Sequence, residues 1–391
     1  MAQCCAGLAH ETAHPVIMTR RGSATKCSYL DYNASAPVRP EVALAMAAAL
    51  SRTGNPSSVH RAGREARALL ENARATVAAL VGAPPEAVVF TSGGTEANNQ
   101  ALQSVGGRKL VSAIEHDSVL AAAPDGPRIP VDEHGVIDLE RLGEQLGTVR
   151  PALVSVMLAN NETGVLQPVQ EVVACARRYG ALVHCDAVQA AGKILVDVNS
   201  LGADFVSLSA HKLGGPQGVG ALVLGPGVEP AALHHGGAQE RRWRPGTENL
   251  PGIVGFGRAC ELAAADQDWP QRVGALRDRL EAGIAAMAPG ARVLGAGAAR
   301  LANTSCLTMP GVGNQTQLID LDLAGIAVSA GSACSSGKVG RSHVLAAMGV
   351  EAGEAQTAIR VSLGWASTAS DVDRFVTAWS RLYERTRTRA A

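Results

Sequence analysis

Cys334 lies in the sequence SAGSACSSGK, residues 329–338, where its four preceding and three following neighbours are all glycine, alanine or serine. A cysteine kept for packing usually has apolar neighbours, whereas glycine and serine are typical of exposed loops. We therefore expect a reactive thiol at this position. Reactivity requires the thiolate, and Lys338 and Arg341 are candidate cations that would lower the pKa of the thiol.

Three further sites have residue types suited to binding a phosphate, a ring nitrogen and an aldehyde. The sequence TSGGTEANN, residues 91–99, follows an apolar run and opens a helical pattern, so its glycines and free N–H groups could bind a phosphate. Asp186 follows another apolar run, where a carboxylate could pair with a ring nitrogen or a metal. Lys212 lies in AHKLGGP, and a lysine desolvated in a cleft can form a Schiff base.

Each of these sites has an ordinary alternative when it is judged singly. Residues 91–99 could be a glycine turn with Thr95 as a helix cap, Asp186 could also cap a helix, and an isolated lysine is usually a surface charge. Together, however, they are the three groups needed to hold pyridoxal 5′-phosphate. The sequence therefore predicts this cofactor, bound covalently through Lys212. It contains no cysteine or histidine spacing typical of a metal site.

These sites follow short apolar runs that predict β-strands. The runs are residues 87–90, 109–113, 152–158, 181–185, 204–208 and 219–224. They alternate with helical patterns such as residues 60–81 and 169–179, which indicates an α/β fold with a mostly parallel sheet covered by helices on both faces. Ligands in such sheets bind at the carboxyl ends of the strands, so we expect the polar residues after each run to converge there.

Two structural domains are predicted, preceded by an extension. Residues 1–28 have the character of a flexible N-terminal extension, in which Met18 is an alternative start. Residues 29–268 form the large domain. Residues 269–391 form a smaller α+β domain with helices at 273–288 and 369–385, a strand at 301–309 and the Cys334 loop.

The composition points to a globular enzyme with a small-molecule substrate. The 391 residues are 47% hydrophobic and 18% charged, and the 35 basic residues balance the 35 acidic ones, so no global field favours nucleic acid or membrane. Only 3% are aromatic, which argues against single-strand stacking platforms. No run is apolar for long enough to predict a membrane span.

The cysteine pattern favours a reducing cytoplasm. The eight cysteines are scattered without the spacing of a disulfide framework. Four of them lie in apolar or helical runs and are predicted to be buried thiols: Cys175, Cys185, Cys260 and Cys306.

The sequence resembles the cysteine desulfurases, a branch of the class V aminotransferase family with the pyridoxal phosphate fold type I. The similarity extends from YLDYNASAP at residue 29 to RVSLG at residue 360. Between them lie NPSSVHRAGR at 55, FTSGGTEANN at 90, EHDSV at 115, ANNETGVLQP at 159, HCDAVQAAGK at 184, SLSAHKLGGPQGVG at 207, GGAQERRWRPGTEN at 236 and SAGSACSSG at 329.

The resemblance implies a role for each matching residue. Lys212 would be the Schiff-base lysine, His116 would stack on the pyridine ring, and Asp186 would pair with the ring nitrogen. The other cofactor-binding residues would be Gly94, Thr95, Ser209 and His211 at the phosphate, Gln189 at the ring hydroxyl, Asn161 beside the cofactor, and Thr247 at the phosphate of the neighbouring subunit. Asn161 and Arg360 would bind the substrate carboxylate, for which an arginine fork is suited. The role of Thr247 further implies a homodimer.

The activity that the resemblance implies gives the Cys334 thiol a substrate to react with. Lys212 would remove the Cα proton of cofactor-bound L-cysteine, and the Cys334 thiolate would attack the substrate sulfur, leaving alanine and an enzyme persulfide. His116 could shuttle the thiol proton. The loop would move between cofactor and sulfur acceptor, with glycines 331 and 337 suited to a hinge.

Some features leave alternatives open. A selenocysteine lyase or another class V aminotransferase-type enzyme would use a similar set of residues, and a non-catalytic partner protein could keep the fold. Gly94, Tyr32 and Gln217 differ from the residues common in relatives. The chain ends soon after the last predicted helix, without the tail that housekeeping desulfurases use to engage an iron–sulfur scaffold. The sulfur acceptor is therefore open between an iron–sulfur pathway and another thio-cofactor or tRNA thiolation pathway.

Overall fold

The computed structural model describes residues 27–331 and 341–390. In these ranges the strands are β1 (Ser28–Tyr29), β2 (Val88–Thr91), β3 (Lys109–Ser112), β4 (Arg128–Ile129), β5 (Leu153–Met157), β6 (Leu182–Asp186), β7 (Phe205–Ser209), β8 (Gly220–Leu224), β9 (Val293–Leu294), β10 (Thr304–Thr308), β11 (Ile326–Ala327) and β12 (Ala358–Ser362).

The helices in the same ranges are α1 (Pro40–Leu50), α2 (Arg61–Leu80), α3 (Gly94–Ser104), α4 (Asp117–Leu120), α5 (Leu139–Val149), α6 (Val169–Arg177), α7 (Val198–Leu201), α8 (Leu250–Ala265), α9 (Trp269–Met287), α10 (Asn314–Leu323), α11 (His343–Ala347), α12 (Ala352–Ala355) and α13 (Ala369–Ala390). Three short 3-10 turns lie at Pro85–Ala87, Ala210–Lys212 and Gln239–Arg242. None of the helices in the described ranges is long and apolar enough to span a bilayer.

A seven-stranded sheet forms the centre of the fold, with the strand order β2-β8-β7-β6-β5-β3-β4. The neighbouring pairs from β7 to β4 are parallel, and β8 is antiparallel to both of its neighbours. All five residues of β5, β7 and β8 are buried, as expected for strands covered on both faces. The predicted α/β class with a mostly parallel sheet is therefore confirmed.

Helices cover both faces of this sheet because successive strand residues point in opposite directions. Val88 and Phe90 belong to the apolar cluster that contains Val77 of α2. The intervening Val89 belongs to a second cluster, together with Ala97 of α3. The predicted apolar runs thus form two cores, one on each side of the sheet, and the loops between strands and helices lie at the sheet edges.

A second layer contains the antiparallel sheet β12-β10-β9 and the helices α9 and α13. Its core includes Trp269, Phe375 and Trp379. The first described strand also belongs here, since Ser28 and Tyr29 pair in parallel with β11, far along the chain. The division of the chain at residue 268 stays a prediction.

Most predicted elements lie within a few residues of those observed, but several elements were not predicted, among them the helices α1, α5, α8 and α10. The sequence of α1, PEVALAMAAAL, is apolar almost throughout and has no amphipathic period. Helix α10 buries only Gln317 and Leu321 fully, so its apolar positions form no continuous stripe. Both helices are defined by their contacts with other elements, which a local pattern does not contain.

Candidate active site

A cavity of about 640 Å³ lies at the carboxyl edge of the large sheet. Its walls come from the loops after β2, β3, β5, β6 and β7, joined by residues before α1 and by Arg360 of β12. Parallel strands bring these loops together because their carboxyl ends lie at one edge. The predicted site residues on the cavity wall are Gly94, Thr95, His116, Asn161, Asp186, Gln189, Ser209, His211, Lys212 and Arg360.

One end of the cavity is suited to an anion. Helix α3 begins at Gly94, and its N-terminal cap, Gly93, supplies no side chain to occupy the free N–H groups of the first turn. Ser209 ends β7 on the same wall, and its buried Oγ has no hydrogen-bond partner among the described residues. A buried hydroxyl without a partner is costly, so its position at this helix end favours a bound acceptor such as phosphate.

Asp186 is the last residue of β6 rather than the residue after it, and 6% of its surface is exposed. Its Oδ1 accepts a hydrogen bond from the Val188 N–H at 2.9 Å, and its Oδ2 accepts one from Asn98 Nδ2 at 2.8 Å. Asn98 lies on α3, so the helix that provides the anion site also orients this carboxylate. Both oxygens are held in place on the cavity wall.

His116 caps helix α4, and this fixes its tautomer. The Ser118 N–H donates to His116 Nδ1 at 3.1 Å, and Ser118 Oγ lies 2.8 Å from the same nitrogen. A backbone N–H can only donate, so Nδ1 accepts and the proton of the neutral ring lies on Nε2. The imidazole is held in one orientation by its own loop.

Lys212 ends the short turn that follows β7, and its Nζ donates to two backbone carbonyls. The distances are 2.6 Å to the Asn33 oxygen and 2.8 Å to the Ala34 oxygen. The preceding His211 lies 3.3 Å from Ser35 Oγ through Nδ1, and burial followed by the nearby Lys212 charge lowers its pKa to about 4. His211 is therefore neutral at physiological pH. The backbone of residues 33–35 forms the wall opposite the strand ends.

Arg360 is almost fully buried, with 3% of its surface exposed. Its Nη2 donates to Asp31 Oδ1 at 2.7 Å, and its Nη1 donates to the backbone oxygen of Asn161 at 3.0 Å. The buried Nε has no hydrogen-bond partner among the described residues. Two donors thus orient the guanidinium, and its positive charge on the cavity wall is suited to a ligand carboxylate.

Asn33, Asn98 and Asp31 contribute to the site but were not singled out from the sequence. Each lies inside a motif that matched the family, YLDYNASAP or FTSGGTEANN, and that match was the one signal available for them. Asn33 is 1% exposed and uses its carbonyl, both side-chain groups and its N–H in hydrogen bonds.

One predicted site residue that the structure describes is not on this wall. Thr247 is exposed and does not line the cavity. Cys334, with Lys338, lies outside the described residues, whereas Ser329, shortly before it, lines the cavity and pairs with Arg360 through a β-bridge.

The other cysteines are mostly buried, as predicted. Cys185, Cys260 and Cys306 are buried, and burial raises the pKa of each thiol, that of Cys306 to about 12. The prediction was wrong for Cys175, which is only half-buried and lies 3.2 Å from Arg178 Nη2. It packs against the edge of the core rather than within it. None of these four thiols lines the cavity.

A parallel sheet whose strand ends surround a lysine, a carboxylate and an anion site is the architecture of fold type I pyridoxal phosphate proteins. The chain belongs to the class-V aminotransferase family, whose profile matches residues 28–375.

Cysteine desulfurases of other organisms are similar to this chain over most of its length. A cysteine desulfurase of Cereibacter sphaeroides is 46% identical over 364 residues, covering 89% of this chain and 93% of the relative. The cysteine desulfurase IscS of Dictyoglomus turgidum is 40% identical over 376 residues, covering 92% and 95%. A crystal structure of a NifS-like protein from Rickettsia africae is similar with a TM-score of 0.85 at 36% identity, covering 92% of this chain and 99% of that one.

The residues present fit pyridoxal phosphate, the cofactor of this family. The partnerless Ser209 Oγ and the start of α3 suit a phosphate group. Asp186, oriented through both oxygens, suits a protonated ring nitrogen, and Lys212 lies on the same cavity wall. Gly94 lacks a side chain where there is little room for one, because a Cβ added at this position would lie 2.8 Å from Val188 Cγ2.

Proposed function

We propose that this protein is a pyridoxal phosphate-dependent cysteine desulfurase that converts L-cysteine to L-alanine and transfers the sulfur to Cys334. One observation carries the proposal: a single cavity brings Lys212, Asp186, the anion site at α3 and the partly unpaired Arg360 together. The similarity to cysteine desulfurases over about nine-tenths of the chain supports the substrate.

Arg360 and Asn161 are proposed to bind the carboxylate of the substrate. The Arg360 guanidinium is already oriented by Asp31 and by the Asn161 carbonyl, so its Nε can donate to the ligand without further ordering. Preorganised donors lose little conformational entropy on binding. This clamp would place the substrate with its Cα towards Lys212.

The bound cofactor acts as an electron sink that makes the Cα–H bond of the substrate acidic. Lys212 would take that proton at Nζ, where the Asn33 and Ala34 carbonyls hold the side chain. Asp186 would keep its partner nitrogen protonated, because both carboxylate oxygens are held by donors. His116 presents Nε2 as its protonated nitrogen and is proposed to hand a proton to or from the thiol.

The sulfur transfer balances without an external oxidant. The Cys334 thiolate forms an S–S bond to the substrate sulfur as the substrate C–S bond breaks, and the carbon that loses sulfur gains a proton. One L-cysteine and one enzyme thiol thus yield one L-alanine and one persulfide. A reductant or an acceptor protein then removes the sulfur and restores the thiol.

The assembly, acceptor and cellular location are also proposals. A homodimer is proposed because Thr247 is exposed here, as a residue serving a neighbouring subunit would be in an isolated chain. A sulfur-acceptor protein is proposed as the recipient of the persulfide. The scattered, largely buried cysteines support a reducing cytoplasm. Sedimentation of the loaded protein would contradict the dimer if only a monomer were found.

Product analysis tests the proposed activity. The loaded protein is incubated with L-cysteine and dithiothreitol, and we expect alanine and sulfide in equal amounts. Lys212→Ala should abolish both products and the covalent cofactor linkage. Cys334→Ser should keep the cofactor and its early cysteine-dependent absorbance change while losing sulfide release. Cys175→Ser is the matched control, since this half-buried thiol lies outside the cavity.

Three results would count against the proposal. Wild-type protein that forms neither product would remove the desulfurase activity altogether. Sulfide release from Cys334→Ser at the wild-type rate would remove the persulfide step. A much higher rate with selenocysteine than with cysteine would assign the site to selenocysteine instead.

A further inference from the structure

Lys193 is a buried lysine beneath the cavity wall, in the loop that follows β6. Only 6% of its surface is exposed, and it does not line the cavity itself. No carboxylate among the described residues forms an ion pair with it. Its Nζ instead donates to Asn33 Oδ1 at 3.0 Å and to Gln189 Oε1 at 2.8 Å.

The surroundings of the Lys193 amine disfavour its charged form. Burial, and then the positive charges of Lys212 and Arg360, lower the pKa of Lys193 well below its usual value. The amine has two acceptors, and Lys193 therefore supplies two directed hydrogen bonds to this part of the cavity wall.

The contacts of Gln189 fix the orientation of its amide. Gln189 Nε2 lies 3.0 Å from the Asn33 backbone oxygen, which can only accept a hydrogen bond. The end of the amide that faces Asn33 must therefore be the NH₂ group, and the end that faces Lys193 must be the oxygen. Gln189 also lines the cavity, and its Nε2 carries a second N–H besides the one that faces Asn33.

Lys193 also donates a hydrogen bond to Asn33, the residue whose backbone oxygen accepts from the Gln189 amide. Asn33 Oδ1 accepts from both Lys193 and Asn303, and the Asn33 backbone oxygen accepts from both Gln189 and Lys212. Without Lys193, Gln189 Oε1 would be left without that donor in a buried position. The amide would then be held only through its contact with the Asn33 backbone oxygen, and its unpaired buried acceptor would favour other orientations.

We propose that Lys193 is a positioning residue that holds the Gln189 amide with an N–H, and not its oxygen, facing the cavity. The Gln189 amide would then donate a hydrogen bond to an anionic oxygen in the cavity, such as the deprotonated ring hydroxyl of the cofactor. The inference rests on the proposed function for the identity of that oxygen. The orientation of the amide follows from the contacts alone.

The test is the pH dependence of the cofactor's visible absorbance, which needs no turnover. Lys193→Met keeps the length of the side chain but has no donor. Losing a donor makes the ring oxygen more basic, so the cofactor should keep its proton to higher pH. We expect the midpoint pH to rise by about one to two units, as for one lost hydrogen bond to a charged group.

Three further variants separate positioning from a general structural role. Gln189→Leu should give a similar shift, and the double variant should shift no further, because Lys193 acts through Gln189. Asn303→Leu is the matched control: it removes the other donor to Asn33 Oδ1 without touching Gln189, so the midpoint should stay at the wild-type value. Lys193→Gln restores one donor and should shift the midpoint less than Lys193→Met.

An unchanged midpoint in Lys193→Met, or shifts that add in the double variant, would overturn the proposal. If Lys193→Met does not fold or does not load cofactor, Lys193→Gln is compared with Asn303→Leu instead. Equal midpoint pH values in these two variants would also overturn the proposal. Failure of the proposed function is seen separately, as wild-type protein that loads cofactor but forms no alanine from L-cysteine.

Discussion

Replacing Arg360 by lysine tests the proposed carboxylate clamp. Arg360 donates from Nη2 to Asp31 and from Nη1 to the Asn161 carbonyl, and its Nε has no hydrogen-bond partner among the described residues. Lysine keeps the positive charge but has a single nitrogen, which cannot reach all three positions. The variant should therefore keep the cofactor and lose one charged hydrogen bond to the substrate.

The expected size follows from that single lost bond. A hydrogen bond to a charged group contributes about 1.5–3 kcal/mol, and each 1.4 kcal/mol is about tenfold, so KM for L-cysteine should rise about 10- to 150-fold. Since the carboxylate is held equally in the ground and transition states, kcat should change little. Steady-state sulfide release against L-cysteine concentration measures both constants.

Arg300→Lys provides a matched control for this prediction. Arg300 is also buried and also binds a carboxylate and a backbone carbonyl, those of Glu281 and Thr304, but it does not line the cavity. This variant should lower the thermal stability and leave KM unchanged. An unchanged KM in Arg360→Lys, or a fall in kcat with KM constant, would refute the assignment of Arg360 to the substrate carboxylate.

Three other predictions concern the cavity floor and the core. Ser209→Ala removes a buried hydroxyl without a partner, so cofactor-free protein should melt no lower than wild type while cofactor affinity falls roughly tenfold, and a fluorescence titration that shows equal affinity would contradict the phosphate site. Gly94→Ala should lower the melting temperature, because its Cβ would lie 2.8 Å from Val188 Cγ2; no change would mean that Val188 shifts freely. Burial lowers the pKa of His184 to about 4, so between about pH 6.5 and 4 the unfolded chain binds a proton that the folded chain does not. The free energy of unfolding should therefore decrease as the pH falls through this range, by up to about 3 kcal/mol. Urea unfolding of His184→Asn over this pH range should show a shallower slope; a slope equal to that of wild type would show that His184 does not contribute.

The sequence predicted most of the strands that lead into the site, because their signals are local. The strands that end at Thr91 and Asp186 and the strand before Lys212 were found because a fully buried strand is a local apolar run. The glycines at 93 and 94 indicated the anion site for a similarly local reason, since free N–H groups belong to the first turn of any helix.

The contacts between remote segments were not predictable in this way. Asn33 reaches Gln189 and Lys212 across 156 and 179 residues of sequence, and no pattern within YLDYNASAP states that its carbonyl would accept from both. Lys193 follows Gln189 by four residues, yet as a lone lysine it would be assigned to the surface. Helix α1 was missed for a related reason, since its burial depends on α8.

By itself, the sequence determined the class of fold and the cofactor, and it predicted positions from which a phosphate, a ring nitrogen and an aldehyde could be bound. Those properties depend on short-range features: apolar runs, glycine turns and the residue type at each strand end. Only the tertiary structure decided which donors and acceptors meet. Packing of the large sheet against residues 31–35 and β12 orients Arg360, Gln189 and Lys212, because a buried polar group must find its partner wherever the fold places one.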